Sequence, residues 1–184
     1  MLQLYESDIT GAIKRFKLNY GTAHLMKYNV REIEEKDNTA IEHVIRTCLI
    51  EYGANHEGTA WADPRLGTLS IAYNSTGNRY WVAETEDGQI VAGAGIGELE
   101  GNPKTCELQK MYCLKEHRGS GVAHMIMDAA LSYARQHYSK CYLETFGNMI
   151  PAQKFYRKHG FELTDKRLGA TGNFACDVLF IRDL

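Results

Sequence analysis

The run Met111-Tyr-Cys-Leu-Lys-Glu-His-Arg-Gly-Ser-Gly-Val-Ala holds residue types that could bind an anion. Arg118, Gly119, Ser120 and Gly121 open a helix-like segment with small side chains, so several backbone N–H groups can point outward unobstructed. A helix N-terminus of that kind offers free donors at the positive pole of its dipole, and a phosphate fits it. The common nucleotide loops do not match. G-x-x-x-x-G-K-[ST] is missing, and G-x-G-x-x-G/A would need Gly or Ala at 124, where the chain has His124. The cysteines at 48, 106, 113, 141 and 176 are odd in number and lack a C-x-x-C pair. Disulfide frameworks and zinc sites use tighter spacing, so these read as reduced core thiols with no metal, in a reducing compartment.

The elements that must position the anion loop follow from periodicity. Tyr28 to Ile33 alternates as a half-buried strand does, and Asp37 and Asn38 can cap the helix that follows. On that helix Ile41, Val44, Ile45, Cys48, Leu49 and Tyr52 form one apolar stripe. Residues 53–64 read as a loop, with a short helix over about 65–73. Two strand-like runs meet at Asp87-Gly88, a hairpin signal. In the second run Gly93, Gly95 and Gly97 sit at alternate positions, where something packs close. Cys106 to Leu114 is a further strand. Beyond the glycines, Val122, Met125, Ile126, Ala129, Ala130, Tyr133 and Ala134 mark one helix face. Then come a strand from Cys141, a helix with Pro151 in its first turn and Gly160 at its end, and closing strands at Phe161 and over Phe174 to Ile181. The order β-α-α-β-β-β-α-β-α-β-β implies an α/β fold: one mixed sheet with helices on both faces.

Length and composition narrow the classes. The 184 residues suffice for one domain with a full core. Lys and Arg number 21 against 23 Asp and Glu, so no general field draws nucleic acid or an anionic membrane. No apolar run approaches the roughly 20 residues of a membrane span. Glu6 and Asp8 interrupt any signal-peptide core. The expectation is a cytoplasmic chain, with residues 1–25 as an extension of unknown role and 26–184 as the domain.

The pattern Arg-x-x-Gly-x-Ala at Arg118, Gly121 and Ala123 is followed by Asn148…Ala152-x-x-Phe155-Tyr156-x-x-x-Gly160-Phe161. Together, in this order on these elements, they resemble the GNAT superfamily of N-acetyltransferases, a likeness that covers about residues 28–181. It implies a GNAT-like, mostly antiparallel sheet whose two central parallel strands, 106–114 and 140–146, splay apart around acetyl-coenzyme A. By position, Arg118, Gly119, Ser120, Gly121, Val122 and Ala123 belong to the diphosphate site. Main-chain groups of Met111, Tyr112 and Cys113 would run beside the pantetheine arm, with the Met111 N–H as oxyanion donor. Asn148 and Tyr156 match coenzyme-contacting positions, and Tyr156 is the expected acid for the leaving thiolate. Cys113 reads as packing rather than as a nucleophile.

The base is open between Glu107, Glu144 and water. Glu107, eleven residues before Arg118, resembles the base position of histone-acetylating members, and a partly desolvated carboxylate has a raised pKa. Glu144 could be a base or an anchor for a cationic amine. The acceptor is expected against the first helix and residues 52–69. There Tyr52, Trp61, His56, Glu57 and Asp63 would suit a small cationic amine. The implied function is acetyl transfer to a primary amine of a small molecule, peptide or protein. The alternative is a non-catalytic acyl-coenzyme A-binding module on the same fold. The partners expected are an amine and, as an open option, a second copy in a homodimer. Nucleic acid binding through residues 14–17 is disfavoured by the charge balance.

Overall fold

The computed structural model describes residues 27–184. Its elements run β1 (Tyr28–Glu32), α1 (Asn38–Glu51), α2 (Leu69–Ala72), β2 (Arg79–Thr85), β3 (Ile90–Glu98) and β4 (Thr105–Cys113). They continue with α3 (Val122–His137), β5 (Lys140–Thr145), α4 (Ile150–Lys158), β6 (Glu162–Thr164) and β7 (Val178–Asp183). Among the described residues the strands form one sheet, ordered β1-β2-β3-β4-β5-β7-β6. Every neighbouring pair is antiparallel except β4 with β5. The expected extension over 1–25, with its basic 14–17 segment, lies outside the described residues.

The helices form where apolar stripes can be buried. Ile41, Val44, Ile45, Cys48 and Leu49 of α1 are each at most 2% exposed. Side chains of this size each contribute roughly 1.5–3 kcal/mol when removed from water. On α3 the buried face is Val122, Ile126, Met127, Ala130, Leu131 and Ala134. It is turned slightly from the expected one, and Met125 is exposed. Asp37 does not cap α1. Its carboxylate accepts the Glu34 N–H (2.8 Å) and an Arg31 guanidinium N–H (2.6 Å), closing a 3₁₀ turn just before the helix. The expected helix over 65–73 is a 3₁₀ turn, Leu66–Thr68, followed by the single turn of α2. The last strand starts late, at Val178. Asp177 is drawn off to accept the Gly147 N–H (2.6 Å), while an Arg167 guanidinium N–H donates to the Cys176 carbonyl (2.5 Å).

One local device opens the sheet. β4 pairs with β5 only at Thr105–Lys140, Cys106–Cys141 and Glu107–Tyr142, and then the two strands part. Opposite, Tyr112 pairs with Gly93 but Gln109 with Gly95, so β4 carries one extra residue. Lys110, in the left-handed region at φ 48°, sits at this bulge. An extra residue bends the strand that carries it, which here takes β4 away from β5. The glycines of β3 make room on the same stretch. A Cβ at Gly95 would stand 2.6 Å from the Tyr73 ring, and one at Gly97 2.6 Å from Gln109 Oε1.

Candidate active site

Beyond the last β4–β5 pair, two cavities flank the gap. The first, of about 240 Å³, is lined by Cys48, Tyr52, Cys113, Gly119, Ala123 and Phe155 among others. Gly119 and Gly121 adopt φ 77° and 94°, a conformation open to glycine at little cost, and an added Cβ on either would meet nothing within 4 Å. Among the described residues, the N–H groups of Gly119, Ser120, Gly121 and Ala123 have no acceptor. The Val122 N–H reaches the Ser120 hydroxyl at 3.4 Å, and that hydroxyl donates to the His117 carbonyl. A cluster of unsatisfied donors at the start of a 16-residue helix fits a diphosphate.

Arg118 does something other than expected. Its guanidinium makes two 2.7 Å bonds to Glu51 and a 2.9 Å bond to the Cys113 carbonyl, and lies 5.7 Å from the Tyr52 ring centroid. It is a strut joining α1, β4 and the anion loop, and its charge is already matched. Asn148 is a second strut, donating to the Tyr52 carbonyl at 3.3 Å. The Leu114 N–H donates to Val91, so the adjacent Cys113 turns its N–H toward the open edge of β4, while its carbonyl accepts from Arg118 and the Cys48 thiol. Burial pushes the Cys113 thiol up to about 11, which keeps it protonated and agrees with a packing role.

The second cavity, of about 350 Å³, lies on the other side, between residues 57–65, β4, β5 and residues 171–176. Glu107 lines it at 2% exposure with no cation bonded to it among the described residues; Gln109 Nε2 donates at 2.5 Å and Asn173 Nδ2 at 3.4 Å. Burial above all raises its pKa to about 7, opposed by the Gln109 bond and aided by the nearby Glu144. The Glu144 side chain is fully buried and accepts three bonds, from Tyr142 (2.7 Å), Arg167 (2.7 Å) and Thr171 (3.0 Å). Its expected role as a base or an amine anchor is opposed by the ion pair with Arg167. Tyr52 lines the first cavity instead of the acceptor side. Trp61 lines neither: Arg46 stacks over it at 4.6 Å.

The two cavities share Met111, Tyr112, Met149 and Tyr156. Tyr156 is buried, its hydroxyl has no partner among the described residues, and desolvation raises its pKa well above the usual phenol value. Sequence reasoning missed Gln109, Tyr73 and Asn173, which hold Glu107, and Arg65 and Lys110, which converge on Asp63 at 3.0 and 2.7 Å. Burial opposes ionisation of Asp63, but these cations outweigh it and hold its carboxyl below the usual range. The alternating glycines were the one available signal for that crowding. Among the described residues no group of three or more His, Cys, Asp or Glu is placed to hold a metal, and no helix is long and apolar enough to cross a membrane.

A splayed parallel pair, with open helix amides on one side and a buried carboxylate on the other, is the arrangement of an acyl-transfer enzyme. Known proteins agree. The model of the acetyltransferase (GNAT) domain matches residues 76–163. YjgM, an uncharacterized N-acetyltransferase of Escherichia coli K12, is 41% identical over 158 residues, which span 84% of this chain and 94% of YjgM. Human N-acetyltransferase 8B is 32% identical over 92 residues, 48% of this chain and 40% of that protein. A GNAT-family acetyltransferase structure from Staphylococcus aureus Mu50 matches with a TM-score of 0.73 at 20% identity, covering 85% and 99% of the two chains. PaiA N-acetyltransferase from Thermoplasma acidophilum, in complex with coenzyme A, matches with a TM-score of 0.66 at 14% identity, covering 86% and 100%. The chain belongs to the GNAT acetyltransferase family and is an acyltransferase.

Proposed function

We propose that this chain moves the acetyl group of acetyl-coenzyme A directly to a primary amine. The observation that carries the reading is the meeting of the two cavities at Met111 and Tyr156, with open amides on one side and Glu107 on the other. The bound coenzyme would supply the acetyl thioester. The Gly119, Gly121 and Ala123 amides hold its diphosphate, and the open edge of β4 at Met111 and Cys113 takes the arm as another strand would. The Met111 N–H donates to the carbonyl oxygen as negative charge builds there, a contact typically worth a few kcal/mol. Glu107 takes a proton from the bound ammonium, directly or through one water, and the neutral amine so formed attacks the thioester carbon. With a pKa of about 7 it is half ionised near neutrality, which suits a general base. Tyr156, neutral at that pH, donates to the departing sulfur.

A module that only bound the coenzyme would have no use for a buried carboxylate without a cation at the far side of the gap, and such perturbed groups cluster at reactive sites. The test is thiol release from acetyl-coenzyme A across a panel of amines, amino acids, antibiotics and peptides, with the acetylated product identified by mass. Release with product supports the reading. Tight coenzyme binding with no acceptor across the panel would overturn it.

A further inference from the structure

The charged groups of the larger cavity are paired unevenly. Asp63 is saturated: Oδ1 accepts the Arg65 N–H (2.9 Å) and Nε–H (3.0 Å), while Oδ2 accepts Arg65 Nη2 (3.0 Å) and Lys110 Nζ (2.7 Å). A carboxylate has about four lone-pair sites, so none is left for a substrate ammonium. Glu144 gives three of its roughly four sites to Tyr142, Arg167 and Thr171. Lys110 keeps spare donors. It spends one of its three N–H donors on Asp63, while Glu107 and Glu57 also line the cavity. The Lys110 side chain is only 9% exposed, lines the cavity, and is held there by the bulge that opens the sheet. A simple alkylammonium approaching Met111 would leave the spare donors of the adjacent Lys110 unmet. A zwitterion would not, since its carboxylate can take the spare donors.

Resting on the acetyl-transfer reading above, we infer that the acceptor is a small amine carrying its own carboxylate, of amino-acid type, with Lys110 and Arg65 receiving the carboxylate and Glu107 facing the amine. This revises the expectation of a purely cationic acceptor, because Asp63 and Glu144, two of the carboxylates that suggested it, are taken up by Arg65, Lys110 and Arg167. Lys110 immediately precedes Met111, and the cavity is about 350 Å³. Carboxylate and amine therefore lie within a few bonds of each other. A site built to hydrogen-bond a group discriminates strongly against analogues that lack it.

The experiment uses the full chain, acetyl-coenzyme A, and matched sets of α-amino acids, their α-amides and the corresponding decarboxylated amines. For the best acceptor, kcat/KM of the acid is expected to exceed that of its amide and its decarboxylated amine by about tenfold or more. In Lys110→Met the acid-to-amide ratio falls about tenfold, mainly through KM for the acid. Arg65→Gln, at an exposed side chain, moves the ratio the same way and keeps the test open should the Lys110 variant fold poorly. Amides or decarboxylated amines turned over as well as the acids, or ratios unchanged in both variants, would overturn the inference alone. No product from any member of the sets would overturn the inference, and the transfer reading falls with it only if the wider panel of antibiotics and peptides also yields none.

Discussion

Gln109 Nε2 donates to Glu107 Oε2 across 2.5 Å, and the other end of the same amide accepts the Tyr73 hydroxyl at 2.6 Å. Gly97, paired with Glu107 across the sheet, is the gap in β3 that lets this amide lie flat. The chain Tyr73–Gln109–Glu107 therefore fixes a buried carboxylate in one orientation and limits how far burial can raise its pKa.

If Glu107 is the base, Glu107→Gln lowers kcat roughly 10²- to 10⁴-fold. In the unsubstituted protein, kcat/KM rises with pH through about 7 as the carboxylate ionises, and that limb disappears in the variant. Stability carries the opposite sign. The folded pKa lies above the ordinary carboxylate value, so the native state holds the extra proton between about pH 4.5 and 7 and loses stability as pH rises through that window. Melting curves across that range check it, since the Gln variant should show a shallower decline.

Gly97→Ala places a Cβ 2.6 Å from Gln109 Oε1, the far end of a flexible side chain, so Gln109 should yield while the sheet persists. Losing a bond that favours the ionised form moves the Glu107 pKa upward. The acid limb of the pH–rate profile shifts to higher pH, with activity largely recovered above it. An unmoved profile would mean that Gln109 does not set this pKa.

Tyr156→Phe removes a hydroxyl with no partner among the described residues, so the melting temperature should change little. Under the proposed role, kcat falls about 10-fold or more while the affinity for acetyl-coenzyme A is kept. Calorimetry alongside steady-state kinetics separates the two.

Glu51→Gln distinguishes a strut from an anion ligand at Arg118. The pair is closed by two 2.7 Å bonds. Weakening it loosens the loop, so KM for acetyl-coenzyme A rises several-fold. Had Arg118 been the direct phosphate ligand, freeing its guanidinium would lower that KM instead.

What could be read from the chain was local. Arg118-Gly-Ser-Gly declares itself because helix N-termini are built from contiguous residues, and Tyr156 and Glu107 stand at fixed offsets from it. What could not be read was pairing across distance. Glu51 lies 67 residues from Arg118, Glu144 23 from Arg167, and Asn173 66 from Glu107. These contacts decide which charges are spent and which remain available. Trp61 misled for the same reason, since nothing in its neighbours shows that Arg46 covers it. Phe174 to Asp177 alternates like a strand, yet Asp177 and the Cys176 carbonyl are claimed by Gly147 and Arg167.

The most direct measurement is a crystal structure with coenzyme A bound. The account predicts diphosphate oxygens within about 3.2 Å of the Gly119, Gly121 and Ala123 amides, and the sulfur between Met111 and the Tyr156 hydroxyl. A coenzyme seated elsewhere, or a diphosphate held by Arg118 with those amides turned away, would contradict it.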